Sequence, residues 1–226
     1  MDMTPHDESA RDYDSQSRRY EWHGPEILFG LAFEFVTAGG KLLDLGIGTG
    51  LSALPFQKAG LEVTGIDDSS EMLDVCRAKN IARELRQHDI RHTPLPYGDG
   101  GFDHVVACGI FHLIDRLDPL VAEAARLLKE DGTFVFTFEK HRVGADDGIP
   151  VRAGEASKRI DEDTGAEIFR HSEAYIKRLL AEKKFVVLKT AEFVASVHPE
   201  TGRKVHFRAV VARKKSATLQ DGPREG

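Results

Sequence analysis

Apolar residues recur along this chain in two alternating periods. From Pro25 onward, Ile27, Leu28, Leu31, Ala32 and Phe35 stand at helical spacing, and Pro25 suits a first helical turn because its missing N–H has no partner there. Gly39-Gly40 ends that helix, and Lys41 to Leu45 is a mostly apolar run of strand length. A glycine-rich stretch, 46–50, leads into a helix predicted over Leu51 to Ala59, with Pro55 near its first turn. Glu62 to Asp67 reads as a second strand. A helix follows from Ser70-Glu71-Met72-Leu73, with Ser69 or Ser70 as its N-cap. Leu85 to Asp89 is predicted as a third strand, Phe102 to Ala107 as a buried fourth, and Pro119 to Lys129 as a helix with Leu120, Ala124, Leu127 and Leu128 on one face. Asp131-Gly132 turns the chain into a fifth strand over Thr133 to Phe138. A helix over Ser172 to Glu182 precedes strands at Phe185 to Val197 and Lys204 to Arg213, where Val205, Phe207, Ala209 and Val211 alternate with His206 and Arg208. The loop 198–203 suits an antiparallel hairpin.

Strand and helix in alternation predict an α/β protein with a mostly parallel sheet and helices on both faces. One segment breaks the rhythm. Residues 140–171 are charged, glycine-bearing and poor in large apolar side chains, and too short to hold a core of their own. They read as an insertion that forms a lid. The expected organisation is a disordered start over 1–12, an aromatic-bearing N-terminal cap over 13–38, one domain over 39–214 with the lid inside it, and a disordered tail over 215–226.

Composition narrows the field. The chain has 226 residues, 41% of them apolar, and a net charge of −6. No apolar run approaches the roughly 18 residues a membrane span needs, and the polar, acidic start lacks the features of a signal peptide. Cys76 and Cys108 are too few for a disulfide scaffold or a cysteine-rich zinc site, and the ten histidines form no tight pair, so no metal site is expected. A reducing, cytoplasmic setting fits. Net acidity argues against bulk nucleic-acid affinity, and the basic residues near the C-terminus read as a solvated strand face.

The densest chemistry lies in Leu42-Leu43-Asp44-Leu45-Gly46-Ile47-Gly48-Thr49-Gly50, where a strand ends in an acid and a glycine turn opens a helix. Glycines let a ligand approach the main chain. At the end of the next strand, Asp67 can accept hydrogen bonds from a ribose diol. The dinucleotide pattern G-x-G-x-x-G would put its third glycine at Leu51, and here it falls at Gly50. Asp44 would also repel a pyrophosphate. An acid at this turn suits a ligand with cationic groups, such as an ammonium and a sulfonium.

These residues resemble the class I S-adenosylmethionine-dependent methyltransferases, of the small-molecule, methyltransferase domain 11/25-like type. The resemblance runs from about Gly39 to Phe138. It is carried by Leu43 to Gly50, by Val63 to Leu73, by His88-Asp89-Ile90 leading into Leu95 to Asp103, by Val105 to Leu113 and by Ala125 to Thr133. Phe169-Arg170-His171-Ser172 with Ala174-Tyr175 and the terminal hairpin resembles a subgroup of uncharacterised methyltransferases often joined to TPR repeats, although no repeat is present. The resemblance implies a Rossmann-like three-layer sandwich with a seven-stranded sheet and an antiparallel C-terminal strand. It implies S-adenosylmethionine as cofactor and S-adenosylhomocysteine as product. Asp44, Gly46, Ile47 and Gly48 would shape the methionine pocket, and Asp67 would hold the ribose with Asp68 and Met72 beside the adenosine. Asp89 and Ile90 would meet the adenine, and Cys108 and Gly109 would border cofactor and substrate. Tyr13-Asp14 and Tyr20-Glu21 resemble a paired Tyr-Asp motif whose aromatics close over the cofactor.

Methyl transfer needs in-line approach of a nucleophile, and some enzymes add a base. His112 and Glu139 are the candidate bases, with His141 and His171 behind them. Cys108 as a covalent nucleophile lacks the flanking signature, and a buried, inert cysteine is the plainer reading. The favoured acceptor is a small molecule. The alternatives are an RNA or protein acceptor, a non-catalytic cofactor-binding regulator or assembly subunit, and, more distantly, a nicotinamide-dependent oxidoreductase.

Overall fold

A computed structural model describes residues 5–140, 149–152, 155–161 and 165–216. The chain opens with α1 (Pro5–Arg19) and α2 (Gly24–Ala32), followed by β1 (Lys41–Leu45), α3 (Leu54–Lys58), β2 (Glu62–Asp67), α4 (Ser70–Ala78), β3 (Glu84–Gln87) and β4 (Phe102–Ala107). Then come α5 (Asp118–Leu127), β5 (Leu128–Glu139), a small group of strands β6 (Ile149–Arg152), β7 (Ala156–Ile160) and β8 (Glu167–His171), and finally α6 (Glu173–Glu182), β9 (Phe185–Val197) and β10 (Lys204–Lys214).

The main sheet has seven strands in the order β3-β2-β1-β4-β5-β10-β9. β1 to β5 pair in parallel, and β10 runs antiparallel between β5 and β9. Successive side chains on a strand point to opposite faces, and this splits the core in two. Leu43, Leu45, Val105, Phe134 and Phe136 pack with Leu120, Leu127, Tyr175 and Leu179 of α5 and α6. Leu42, Val63, Val106 and Val135 pack with Leu28, Phe56 and Leu73 of α2, α3 and α4. The expected three-layer sandwich is therefore present. Among the described residues, no helix is long and apolar enough to cross a membrane.

Most element bounds agree with the sequence reading to within a few residues, and four features differ. α1 begins at Pro5, so 5–12 are helical where disorder was expected; residues 1–4 lie outside the described residues. Its polar sequence has little apolar periodicity to betray a helix. α3 is confined to Leu54–Lys58, because Leu51 to Ala53 still belong to the turn that leaves the glycine stretch. β5 starts at Leu128, and Asp131 takes a positive φ of 61° inside it. The insertion carries a three-stranded antiparallel sheet, β6-β7-β8, with Ala156 opposite His171 and Ile160 opposite Glu167. Its strands are short and charged, so hydrophobic patterning does not reveal them. Residues 141–148, 153–154, 162–164 and 217–226 lie outside the described residues, and with them parts of the expected lid and almost all of the expected tail.

Candidate active site

In an open α/β sheet, ligands bind beyond the C-terminal ends of the strands where the strand order reverses. Here the reversal falls between β1 and β4. The loops after β1, β2, β3 and β4 surround a cleft of about 330 Å³ at that point. α1 and the start of α2 close it from the other side with Tyr13, Trp22 and Pro25.

The glycine turn forms the floor. Gly46 and Ile47 both donate their N–H to the Ile66 carbonyl, at 2.8 and 3.0 Å, which ties the turn to the end of β2. Gly46 has φ +70°, which strains any residue with a side chain, and a Cβ there would stand only 3.0 Å from the Ile110 side chain. Asp67, at the end of β2, accepts the Gly48 N–H at 2.8 Å and the Ser69 N–H at 3.0 Å. Burial raises the Asp67 pKa, and these backbone donors pull it back. Its carboxylate oxygens have further lone pairs for a diol. Asp68, Ser69 and Met72 continue the same wall.

Asp44 departs from its expected place. It is fully buried and does not line the cleft. It stands behind Ser52, which does, and accepts the Ser52 hydroxyl at 2.5 Å. Its other oxygen, Oδ1, is buried without a hydrogen-bond partner. Burial pushes the Asp44 carboxyl up to about 7, opposed by the Ser52 hydrogen bond and helped by the charge of Asp67. Tyr20 is also misplaced by the sequence reading. Its ring stacks edge-on against His198 with centroids 5.5 Å apart, and its carbonyl accepts the Val197 N–H at 2.7 Å. It fastens the segment after α1 to the β9–β10 hairpin instead of covering the cleft. Tyr13 does line it.

The remaining predicted residues converge. Asp89 and Ile90 form one end of the cleft. Arg91 holds Asp89 through Nε at 2.8 and 3.1 Å and reaches Asp68 at 3.7 Å. That hydrogen bond keeps the Asp89 pKa below the usual carboxylate range. Cys108 and Gly109 lie at the other end. The Gly109 N–H donates to Thr137 Oγ1 at 2.8 Å. With φ +66°, and 2.8 Å between its would-be Cβ and the Trp22 ring, Gly109 lets the indole lie directly on the tip of β4. Burial drives the Cys108 thiol well above its ordinary pKa, with the carboxylates of Asp44 and Glu26 adding to the effect against a hydrogen bond from Thr137. A thiolate nucleophile is disfavoured there.

Neither candidate base sits free in the cleft. His112 packs edge-on against Phe207 at 5.2 Å, and its Nδ1 is buried with no hydrogen-bond partner. Burial holds its imidazole down at about 4, and the charges of Arg159 and His171 push the same way. Glu139, at the end of β5, is buried and ion-paired with Arg170 at 2.7 Å and with Arg159 at 3.7 Å. It ties the inserted sheet to the core. His171 is fully buried, with Nε2 3.1 Å from the carbonyls of Phe111 and Ile114. His141 lies outside the described residues.

Sequence reasoning missed Trp22, Pro25, Leu51, Ser52 and Arg91 in the cleft. The signal for Trp22 and Pro25 was present, since an aromatic followed by Gly24-Pro25 at a helix start marks a fixed chain entry. It also missed the clasp that holds α1. Asp14 accepts the Thr49 hydroxyl at 2.6 Å and pairs with Lys79, whose ammonium also donates to the Thr49 carbonyl at 3.0 Å.

Comparison with known proteins agrees with this geometry. Residues 43–136 match the model of a methyltransferase domain. The chain is 33% identical over 157 residues to the phosphatidylethanolamine N-methyltransferase of Cereibacter sphaeroides, covering 67% of this chain and 72% of that protein. It is 35% identical over 105 residues to the demethylmenaquinone methyltransferase of Tropheryma whipplei, spanning 44% of this chain and 42% of that protein. In fold it resembles a methyltransferase of Haloferax volcanii solved with the activator Trm112, with a TM-score of 0.72, 18% identity, and coverage of 96% of this chain and all of that one. The chain belongs to the class I S-adenosylmethionine-dependent methyltransferases.

S-adenosylmethionine is its cofactor. The residues present fit it: a backbone cradle at 46–48, an acid at the end of β2 for the ribose, and an apolar shelf at Ile90 next to Asp89.

Proposed function

We propose that this enzyme methylates a small-molecule acceptor. The observation that carries this reading is the apolar lining of the cleft beside the tip of β4, where Trp22, Ile110, Leu113 and Ile114 line it together with Cys108 and Gly109. A polymer acceptor needs an open, basic approach, whereas a small acceptor is held by a concave and mostly apolar wall. Two relatives are named for acceptors of this kind, phosphatidylethanolamine and demethylmenaquinone.

In this reading Gly46, Ile47 and Gly48 hold the methionine portion of the cofactor. Asp67 takes the ribose hydroxyls, Asp68 and Met72 flank the adenosine, and Asp89 with Ile90 takes the adenine. Tyr13 covers the cofactor. When bound, the cofactor supplies an electrophilic methyl on a sulfonium. The chain's own contribution is position and exclusion of water, which brings the acceptor atom in line with that methyl. His112, its pKa held down by burial, is a weak base, and Glu139 is engaged by two arginines, so this scheme assigns neither a proton-transfer role. A cytoplasmic location belongs to the same reading and is supported by Cys76 and Cys108, which stand as free thiols. Transfer of radiolabelled methyl from S-adenosylmethionine, compared over a metabolite pool, total RNA and a protein extract, tests it. Label is expected in the metabolite pool, and label confined to RNA or protein would overturn it.

A further inference from the structure

The end of the cleft read as the adenosine site gathers three acids and one cation. Among the described residues that line the cleft, Arg91 is the single cation, against the carboxylates of Asp67, Asp68 and Asp89. Its side chain is 61% exposed, so polar contacts and not packing hold it in place. From the loop after β3 it turns back on Asp89. Its backbone N–H donates to Oδ1 at 2.9 Å, and its Nε donates to Oδ1 at 2.8 Å and to Oδ2 at 3.1 Å. A terminal nitrogen extends on to Asp68 Oδ2 at 3.7 Å, in the loop after β2. The guanidinium thus spans the two loops that bound this end of the cleft. The two Asp89 oxygens are left unequal. Oδ1 takes two donors at ordinary length. Oδ2 takes one longer bond, and His92 comes no nearer to it than 3.5 Å, so Oδ2 keeps a lone pair for a further donor.

We propose that Arg91 is a positioning residue for cofactor recognition, which turns the Asp89 carboxylate so that Oδ2 meets the amino group of the adenine and the site selects that base over other purines. The proposal rests on the reading of Asp89 as the adenine acid and adds what makes that acid selective. An aspartate carboxyl on its own turns through a broad χ2 range. The Nε contact to both oxygens, with the backbone N–H on one of them, fixes that torsion before the ligand arrives. Groups ordered in advance cost less on binding. A carbonyl at the same place on the purine would face a carboxylate oxygen that the Arg91 hydrogen bond keeps ionised and in position. The charges agree as well. A nucleoside carries no formal charge, so a cation there repels nothing in it and offsets part of the mutual repulsion of Asp68 and Asp89.

The test is a calorimetric comparison, on the whole chain, of S-adenosylhomocysteine with S-inosylhomocysteine, which has a carbonyl in place of the amino group. The native enzyme should prefer the adenine ligand about a hundredfold, and Asp89→Ala should erase most of that preference. Arg91→Ala should lower the preference about tenfold, while S-inosylhomocysteine binds it no more weakly than it binds the native enzyme. Arg91→Lys keeps a cation without the planar fork and should recover only part of the preference. Equal weakening of both ligands in Arg91→Ala would make Arg91 a general support of the cleft and overturn the proposal. So would a full preference in Arg91→Lys, which would reduce the residue to its charge. A native enzyme without a preference, or a preference that survives Asp89→Ala, removes the adenine role of Asp89 and the proposal with it. A preference lost in Asp89→Ala and kept in Arg91→Ala overturns the proposal alone.

Discussion

The Asp67 carboxylate accepts the backbone N–H of Gly48 at 2.8 Å across 19 residues of chain, joining the acid at the end of β2 to the glycine turn after β1. One side chain thus ties the acid at the end of β2 to the glycine backbone that floors the cleft. Asp67→Ala should weaken S-adenosylhomocysteine binding about tenfold to a hundredfold, as expected for losing charge-assisted hydrogen bonds worth roughly 1.5–3 kcal/mol. Titration calorimetry on the variant checks this, and unchanged affinity would remove Asp67 from the ribose site.

The legibility of this site follows from its backbone. Gly46, Gly48 and Asp67 could be read from the sequence because they stand at the ends of strands that local patterning already marks, and Asp89 through the family resemblance of His88-Asp89-Ile90. Asp44 belongs to the same motif, but only the fold shows that Ser52 stands between it and the cleft. The partners of Tyr20 and Glu139 are far along the chain, His198 in one case and Arg159 with Arg170 in the other, so no local pattern could announce them. The inserted strands β6 to β8 escaped for a different reason: they draw their pairing from backbone hydrogen bonds and ion pairs more than from apolar alternation.

Asp44 gives the enzyme a stability that depends on pH. Its pKa is raised to about 7 in the fold. A carboxyl with a raised folded pKa contributes stability that is whole below its unfolded value, near 4, and is lost as the pH rises through about 7. Asp44→Asn cannot ionise. Its stability relative to the native enzyme should therefore shift in its favour by a few kcal/mol between about pH 4 and pH 8. Urea unfolding of both proteins across that range measures the shift, and a pH-independent difference would contradict the burial of a titrating Asp44.

His112 acts in the opposite sense. With its pKa lowered to about 4, it contributes stability that is whole above about 6.5 and lost as the pH falls toward 4. Imidazole NMR resonances should show His112 neutral at pH 6. A midpoint near the usual value of about 6.5 would mean that the ring is solvated and open to proton transfer.

Glu139 should behave as a strut. Glu139→Gln leaves Arg170 and Arg159 facing an uncharged amide in a buried place, which costs about 3 kcal/mol or more of stability. Limited proteolysis within 149–171 should quicken in the variant. Loss of methyl transfer at undiminished stability would instead give Glu139 a place in the chemistry.

Trp22 is the chain's single tryptophan and lies on Gly109 at the edge of the cleft. Saturation with S-adenosylhomocysteine should change its fluorescence, with the same midpoint as the calorimetric titration. Emission that stays constant through saturation would place the ligand away from the Trp22 wall.

The most direct measurement is a calorimetric titration of the native chain with S-adenosylhomocysteine and, separately, with NAD. Saturable binding of one S-adenosylhomocysteine per chain, with no heat from NAD, is the predicted result. No binding of S-adenosylhomocysteine at millimolar concentration, together with no shift in melting temperature, would contradict the assignment of this cleft as the cofactor site.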